Sequence, residues 1–337
     1  MDSGKIMEIA AALDSLTNVD ISGRGVVTPL FAAARHLTDK PLTLAASELL
    51  CNIIRPGDPV IITTGWVDQP LVAPGCGETD GPPGALALAR ALRLTLRATP
   101  IIVTDECLVK GIRKVARAAG FQCVAPASLI HSVELNKLMT VSVLPFPVDH
   151  EEAKQAAANL IDSVQPAACI AIERGGINAE GMIHNMAGRE TGAAMAKPDY
   201  LFRVAREKGI ATIGIGDGGN EIGMANIATA VEQDVFRGVT CSCQCKSGLA
   251  PTTPVDVLVT ANISNWGGYA IAALLGAMTG VDVLNSVDRE LGVLRAVADA
   301  GFHDPIAGSV YPSVDGVGLE GQLAMISLLR EVVDRRR

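Results

Sequence analysis

The chain has 337 residues, of which 49% are hydrophobic and 19% charged, enough for a large buried core and too apolar for a disordered chain. Lysine and arginine number 28 against 36 acids, and the resulting charge of −8 argues against nucleic-acid or anionic membrane partners. Residues 1–55 carry helical patterning and are expected to pack on the rest as an extension. Met1-Asp2-Ser3-Gly4-Lys5 leads into no signal-peptide core, and Asp2, Glu8 and Asp14 argue against a transit peptide.

From 56 to 335, short β-branched runs alternate with longer alanine- and leucine-rich ones. Strands are expected at 59–64, 100–104, 140–144, 169–172, 211–215 and 255–259. These are continuous apolar runs, which suit a parallel sheet buried on both faces. Helices are expected at 83–97, 106–119, 150–164, 198–208, 219–232, 265–278 and 319–335, with Gly120 and Gly209 as stops. The alternation predicts one α/β domain, a doubly wound, mainly parallel sheet flanked by helices. The longest apolar stretch, 269–278, is about half of the ~20 residues a membrane span needs. Ligands of such sheets sit beyond the carboxyl ends of the strands. The stretches to inspect are therefore 65–84, 173–192, 214–223, 260–268 and 301–318.

The glycine-rich run 213–223 passes from a strand into an expected helix and formally fits G-x-G-x-x-G through Gly214, Gly216 and Gly219. Asp217 and Glu221 would repel a bare pyrophosphate there but suit a hard cation, so NAD is not expected, nor haem. Helix capping by Asp217 is the plainer alternative. After the first strand, Glu78 and Asp80 precede Pro82 and Pro83, which suit a first helical turn. Taken with 217–221 they form a converging carboxylate cluster, stable only with a cation, protonation or basic partners. Glu173 ends a strand and is followed by Arg174, His184, Asn185 and Arg189; an arginine fork suits a substrate carboxylate, and a loop histidine is more often solvated than catalytic. Ser264 is a natural N-cap, and Asn265 beside exposed N–H groups suits an anion.

Cys241, Cys243 and Cys245 invite a zinc reading, but no nearby histidine completes four ligands, so a structural or incidental role is expected. The eight cysteines as a set read as reduced thiols of a cytoplasmic protein. No G-x-S-x-G elbow or Walker A sequence is present.

Gly77-Glu-Thr-Asp-Gly-Pro-Pro-Gly-Ala85, Glu173-Arg174 with Asn185, 214–224 and Ser264-Asn-Trp-Gly-Gly268 together resemble the D-glutamate cyclase family, in its C-terminal-type domain, over about residues 45–320. The resemblance implies dehydrative closure of D-glutamate to 5-oxo-D-proline, a lyase reaction on a small amino acid. Within the matching motifs it marks Glu78, Asp80, Glu173, Asn185, Asp217, Asn220, Glu221 and Asn265. The chemistry assigns a Mn²⁺ or Mg²⁺ ion to Asp217, Glu221 and Glu78, and catalysis to Glu173, Asp80, Asn185 and Asn265. Substrate would be held by Arg174, Arg189, Asn220, Ser264 and the N–H groups of Gly218 and Gly219. A metal-dependent phosphohydrolase and a non-catalytic binding protein are the alternatives. Oligomeric state stays open, a homo-oligomer included.

Overall fold

The computed structural model describes residues 2–135 and 138–335. Three helices open the chain, α1 (Ser3–Thr17), α2 (Val27–Arg35) and α3 (Leu42–Ile53). Strands β1 (Pro59–Thr64), β2 (Thr99–Asp105), β3 (Gln122–Cys123) and β4 (Thr140–Phe146) follow, with α4 (Pro82–Ala91), α5 (Val109–Ala118) and α6 (Leu129–Leu135) between them. The second half holds α7 (His150–Val164), β5 (Ala168–Ile172), α8 (Asp199–Glu207), β6 (Ala211–Gly216), α9 (Ala228–Asp234) and β7 (Val257–Thr260). Helices α10 (Ser264–Thr279), α11 (Val287–Asp299) and α12 (Leu319–Asp334) close it. All six expected strands are found; β3, α6 and α11 lie where no element was read. Arg336 and Arg337 of the basic C-terminus lie outside the described residues.

The strands form one seven-stranded sheet in the order β3-β4-β2-β1-β5-β6-β7, and every pairing is parallel. The predicted α/β fold with 169–172 and 211–215 as interior strands is what the chain adopts. Burial explains the patterning: β2 and β5 are buried at every position, so neither face needs a polar residue. α10 is buried almost all round, enclosed by α1, α3, α4 and α12, so its apolar run reflects enclosure by protein. No helix among the described residues is long and apolar enough to cross a membrane.

The expected helix over 219–232 is corrected. Gly223 has φ of 104°, a 3₁₀ turn covers Met224–Ile227, and α-helix begins only at Ala228. Gly219, with φ of 103°, breaks the helical path in the same way.

Helices α4 and α10 cross with their starts in contact. A Cβ built on Gly84 would lie 2.6 Å from Asn265 Cα, and one on Gly268 would lie 2.9 Å from Gly84 O. The Pro-Pro-Gly and Trp-Gly-Gly motifs thus serve backbone-to-backbone packing. Gly84→Ala should push the helices apart and cost about 1–3 kcal/mol in urea denaturation. An unchanged midpoint would refute this account of the glycine.

Candidate active site

Going outward from β1, the chain runs to β2 on one side and to β5, β6 and β7 on the other. The reversal at β1 and β5 opens a crevice beyond their carboxyl ends. A cavity of about 240 Å³ sits there, lined among others by Trp66, Glu78, Glu173, Asn185, Asp217 and Asn220. That is smaller than typical pockets for drug-sized ligands, and suits a small metabolite. Arg24 and Asp315 complete its charged wall. A larger open groove of about 960 Å³ beside Phe146, His150 and Lys197 contains none of these clustered acids. The clustered acids line the smaller cavity.

Glu173 sits one residue past β5 with φ of 44°, a left-handed conformation that costs a non-glycine residue on the order of 1 kcal/mol or more. The turn aims its carboxylate at the cavity, where Oε2 accepts a hydrogen bond of 2.7 Å from Ser264 Oγ. Ser264 therefore orients Glu173; the cap position of α10 is Ile263. Space for the turn comes from Gly81, with φ of 95°, where a Cβ would lie 2.9 Å from Glu173 Cβ.

The glycine loop after β6 closes on itself. Glu221 Oε1 accepts from the N–H groups of Asp217 at 2.7 Å and Gly218 at 2.6 Å, and Oε2 from Gly219 at 2.8 Å. A carboxylate of the chain thus stands where the dinucleotide fingerprint would seat a phosphate. The same bonds correct the expectation that Gly218 and Gly219 offer donors to substrate. The late start of the helix has another cause, the positive φ of Gly219 and Gly223, which no helical residue adopts. Asn220 lines the cavity and donates from Nδ2 to His184 O at 2.7 Å.

Asp80 and Asn265 form a reciprocal capping pair behind the cavity. Asp80 accepts from the N–H groups of Ser264 and Asn265, both at 2.8 Å, covering the start of α10. Asn265 Oδ1 accepts from Gly81 at 3.0 Å and Gly84 at 2.7 Å, covering the start of α4. Both side chains are fully buried and neither lines the cavity. These bonds hold the starts of α4 and α10 together, and the helix N-terminus at 81–84 is already occupied.

The arginines are also redistributed. Arg174 is 0% exposed, ion-paired with Asp105, and donates to Gly65 O and Ala196 O. It binds the ends of β1, β2 and β5 together from beneath, out of reach of a substrate carboxylate. Arg189 is exposed and does not line the cavity; its N–H joins a turn around Asn185 Oδ1. The arginine that does enter is Arg24, between α1 and α2, whose Nη2 lies 2.9 Å from Asp217 and whose Nη1 lies 3.3 Å from Asp315. Sequence reasoning missed it, although Gly23 and Gly25 flank it, both at positive φ. Asp315 was missed too, within a stretch marked for inspection.

Burial and mutual repulsion set the protonation of the acids. Desolvation, then the Asp217 charge, raises Asp80 to about 8 and Glu221 to about 7. Glu173 and Asp315 are pushed well above the usual carboxylate range by burial and Asp217; Glu78 is pushed likewise by burial and Asp68. Such a set takes up protons or a cation at neutral pH. Ligand oxygens of Asp80, Asp217 and Asp315 lie within 4.8 Å of one another, as do those of Glu173, Asp217 and Glu221. Asp217 belongs to both groups.

A third convergence, of His184 with Cys241, Cys243 and Cys245, is as close. The expectation that no histidine joins the thiols is therefore corrected, since the fold brings in His184 from a distant loop. His184 is 1% exposed and faces the sulfurs, so it is not a base in the cavity.

A family model described as D-glutamate cyclase-like, C-terminal, matches residues 13–330. The human protein named D-glutamate cyclase, mitochondrial, is 32% identical over 295 residues, which are 85% of this chain and 42% of that protein. The chain thus corresponds to less than half the length of that relative. The family match starts before Arg24 and ends after Asp315, so all the cavity acids and their arginine fall inside it, and the chain belongs to the D-glutamate cyclase-like C-terminal family.

Proposed function

We propose that this chain is a lyase that closes D-glutamate to 5-oxo-D-proline with loss of water. The observation that carries the reading is the small cavity in which buried carboxylates face Arg24. The substrate carries one ammonium and two carboxylates, and the cavity offers both signs of charge. Family membership and the human relative's printed name support the same reaction.

Ring closure joins the amine nitrogen to the side-chain carboxyl carbon and releases one oxygen as water. The ammonium gives up two protons in all, and both leave on that oxygen. Glu173, as a carboxylate, takes the first proton and frees the amine for attack. Its raised pKa then suits it to return that proton to the departing oxygen. Arg24, between Asp217 and Asp315, is placed to hold a substrate carboxylate, the role first expected of Arg174 or Arg189. Asn185 and Asn220 line the wall as neutral polar contacts, and the indole N–H of Trp66 is buried without a protein partner.

A divalent cation, Mn²⁺ or Mg²⁺, fits the oxygen-rich set, with Asp217 as its holder and Asp315 or Glu173 beside it. When bound it would offset the charge of the side-chain carboxylate. Glu221 and Asp80 already accept backbone hydrogen bonds and serve chiefly to hold their loops, while Glu78 lines the wall. Eight free thiols suit a reducing compartment, which supports the cytoplasm no more than a mitochondrial matrix.

Chiral chromatography of D- and L-glutamate incubated with purified protein, with and without each cation, tests the proposal. Loss of D-glutamate matched one-to-one by 5-oxoproline is expected. D-Glutamate left untouched under all conditions, with release of phosphate from a phosphate ester, would instead favour the phosphohydrolase.

A further inference from the structure

We infer that His184, Cys241, Cys243 and Cys245 form a structural Zn²⁺ site that fastens one wall of the cavity. This inference stands apart from the cyclase reading and uses none of the cavity acids. The sulfurs lie 3.4 Å (Cys241 to Cys243), 3.3 Å (Cys241 to Cys245) and 3.2 Å (Cys243 to Cys245) apart. His184 Nε2 lies 3.2 Å from Cys243 Sγ and 3.6 Å from Cys245 Sγ. Four donors thus mark the corners of a small tetrahedron. Zn–S bonds of about 2.3 Å require edges near 3.8 Å, so a slight outward movement seats the ion. A disulfide would use two sulfurs and leave the third thiol and the imidazole without a reason to converge.

The donor set selects the metal. Three thiolates and an imidazole are soft to borderline ligands, suited to zinc and poor for Mg²⁺ or Mn²⁺. Four protein ligands leave no open position, which marks a structural site.

The surroundings are those of a built site. The N–H of Cys245 points at Cys243 Sγ at 3.4 Å, and Asn178 Nδ2 at Cys245 Sγ at 3.6 Å. Asn178 is itself fixed, donating to Gly248 O at 2.8 Å and accepting from the N–H groups of Glu180 and Met182. N–H donors around the sulfurs offset the charge of metal-bound thiolates.

The site also answers a question posed by the fold. Residues 235–256 contain no helix or strand; Val235, Leu249 and Val255 anchor the two ends of this connection in the core, but Phe236 and Val239 are exposed, and from 236 to 248 Cys241 is the buried apolar side chain. Long irregular segments inside a compact fold need another source of order, and metal binding supplies it. Ser242 hydrogen-bonds Gly188 O through both N–H and Oγ. Asn185, Met186 and Ala187, next along from His184, line the cavity. The ion would tie that wall to the 241–245 segment.

The test is elemental analysis of the full chain purified under reducing conditions, followed by titration with a mercurial reagent and a zinc-sensitive dye. About one zinc per chain is expected, released as three thiols react. Replacement by Co²⁺ should give the strong visible absorption of tetrahedral cobalt–thiolate coordination. Cys243→Ser should lower zinc content at least tenfold, whereas Cys107→Ser, an exposed thiol elsewhere, should leave it unchanged. If Cys243→Ser fails to fold, the wild-type stoichiometry and cobalt spectrum still decide. Wild-type protein without zinc after reconstitution, or a Cys243→Ser protein with full zinc, would overturn the assignment.

Discussion

Raising the pH from about 5 to about 8, with divalent cations omitted, should cost the fold several kcal/mol. The buried acids give the sign. Asp80 and Glu221 titrate near 3.8 and 4.5 when unfolded but are raised to about 8 and about 7 in the fold, by burial and then by the Asp217 charge. Between these limits the folded state binds more protons than the unfolded one, so stability falls as pH rises. It is fully present below the unfolded values and is lost as pH passes the folded ones. Glu173, Asp315 and Glu78 shift the same way. Arg24 opposes the trend by favouring ionised partners, and a divalent cation should oppose it further. Urea denaturation across this range, with and without Mn²⁺, gives the measurement. A stability that rises toward pH 8 without cation would contradict the burial account of the cluster.

Two neighbouring substitutions should part company, although each replaces an acid by its amide. Glu221→Gln exchanges one acceptor oxygen for an NH₂ group in a pocket of three backbone donors. One N–H then faces another donor, and the charge assistance is lost, so about 2–4 kcal/mol of stability should go with it. Asp217 accepts from Arg24 through its side chain and provides the charge that most raises its buried neighbours. Asp217→Asn should therefore fold at least as well as the wild type near pH 8 and flatten the pH dependence. On the proposed cyclase reading, conversion of D-glutamate by this variant should fall by about a hundredfold or more, as expected when a charge-stabilising group is removed. Paired measurement of melting temperature and 5-oxoproline formation separates the two roles. Equal stability losses in both variants would show that the loop is a purely structural element.

What the sequence determined by itself was the layered fold and the places where polar chemistry gathers. Strands such as 169–172 were legible because burial on both faces leaves a local mark, an unbroken apolar run. The acids 78, 173 and 217 were legible because strand ends followed by glycine and carboxylate are local patterns too. Partnership was not local, and only the tertiary structure decided it. Arg24 meets Asp217 across almost two hundred positions, and His184 meets Cys243 from another loop. The helix expected from 219 gave way because Gly219 and Gly223 take positive φ, a freedom that glycine has and the hydrophobic pattern does not record. Asp80 and Asn265 became mutual caps because α4 and α10 start side by side. Charge and hydrogen-bonding capacity are written in each residue, but the group that satisfies them is chosen by the fold, since a buried polar atom must take whichever partner the packing brings within reach.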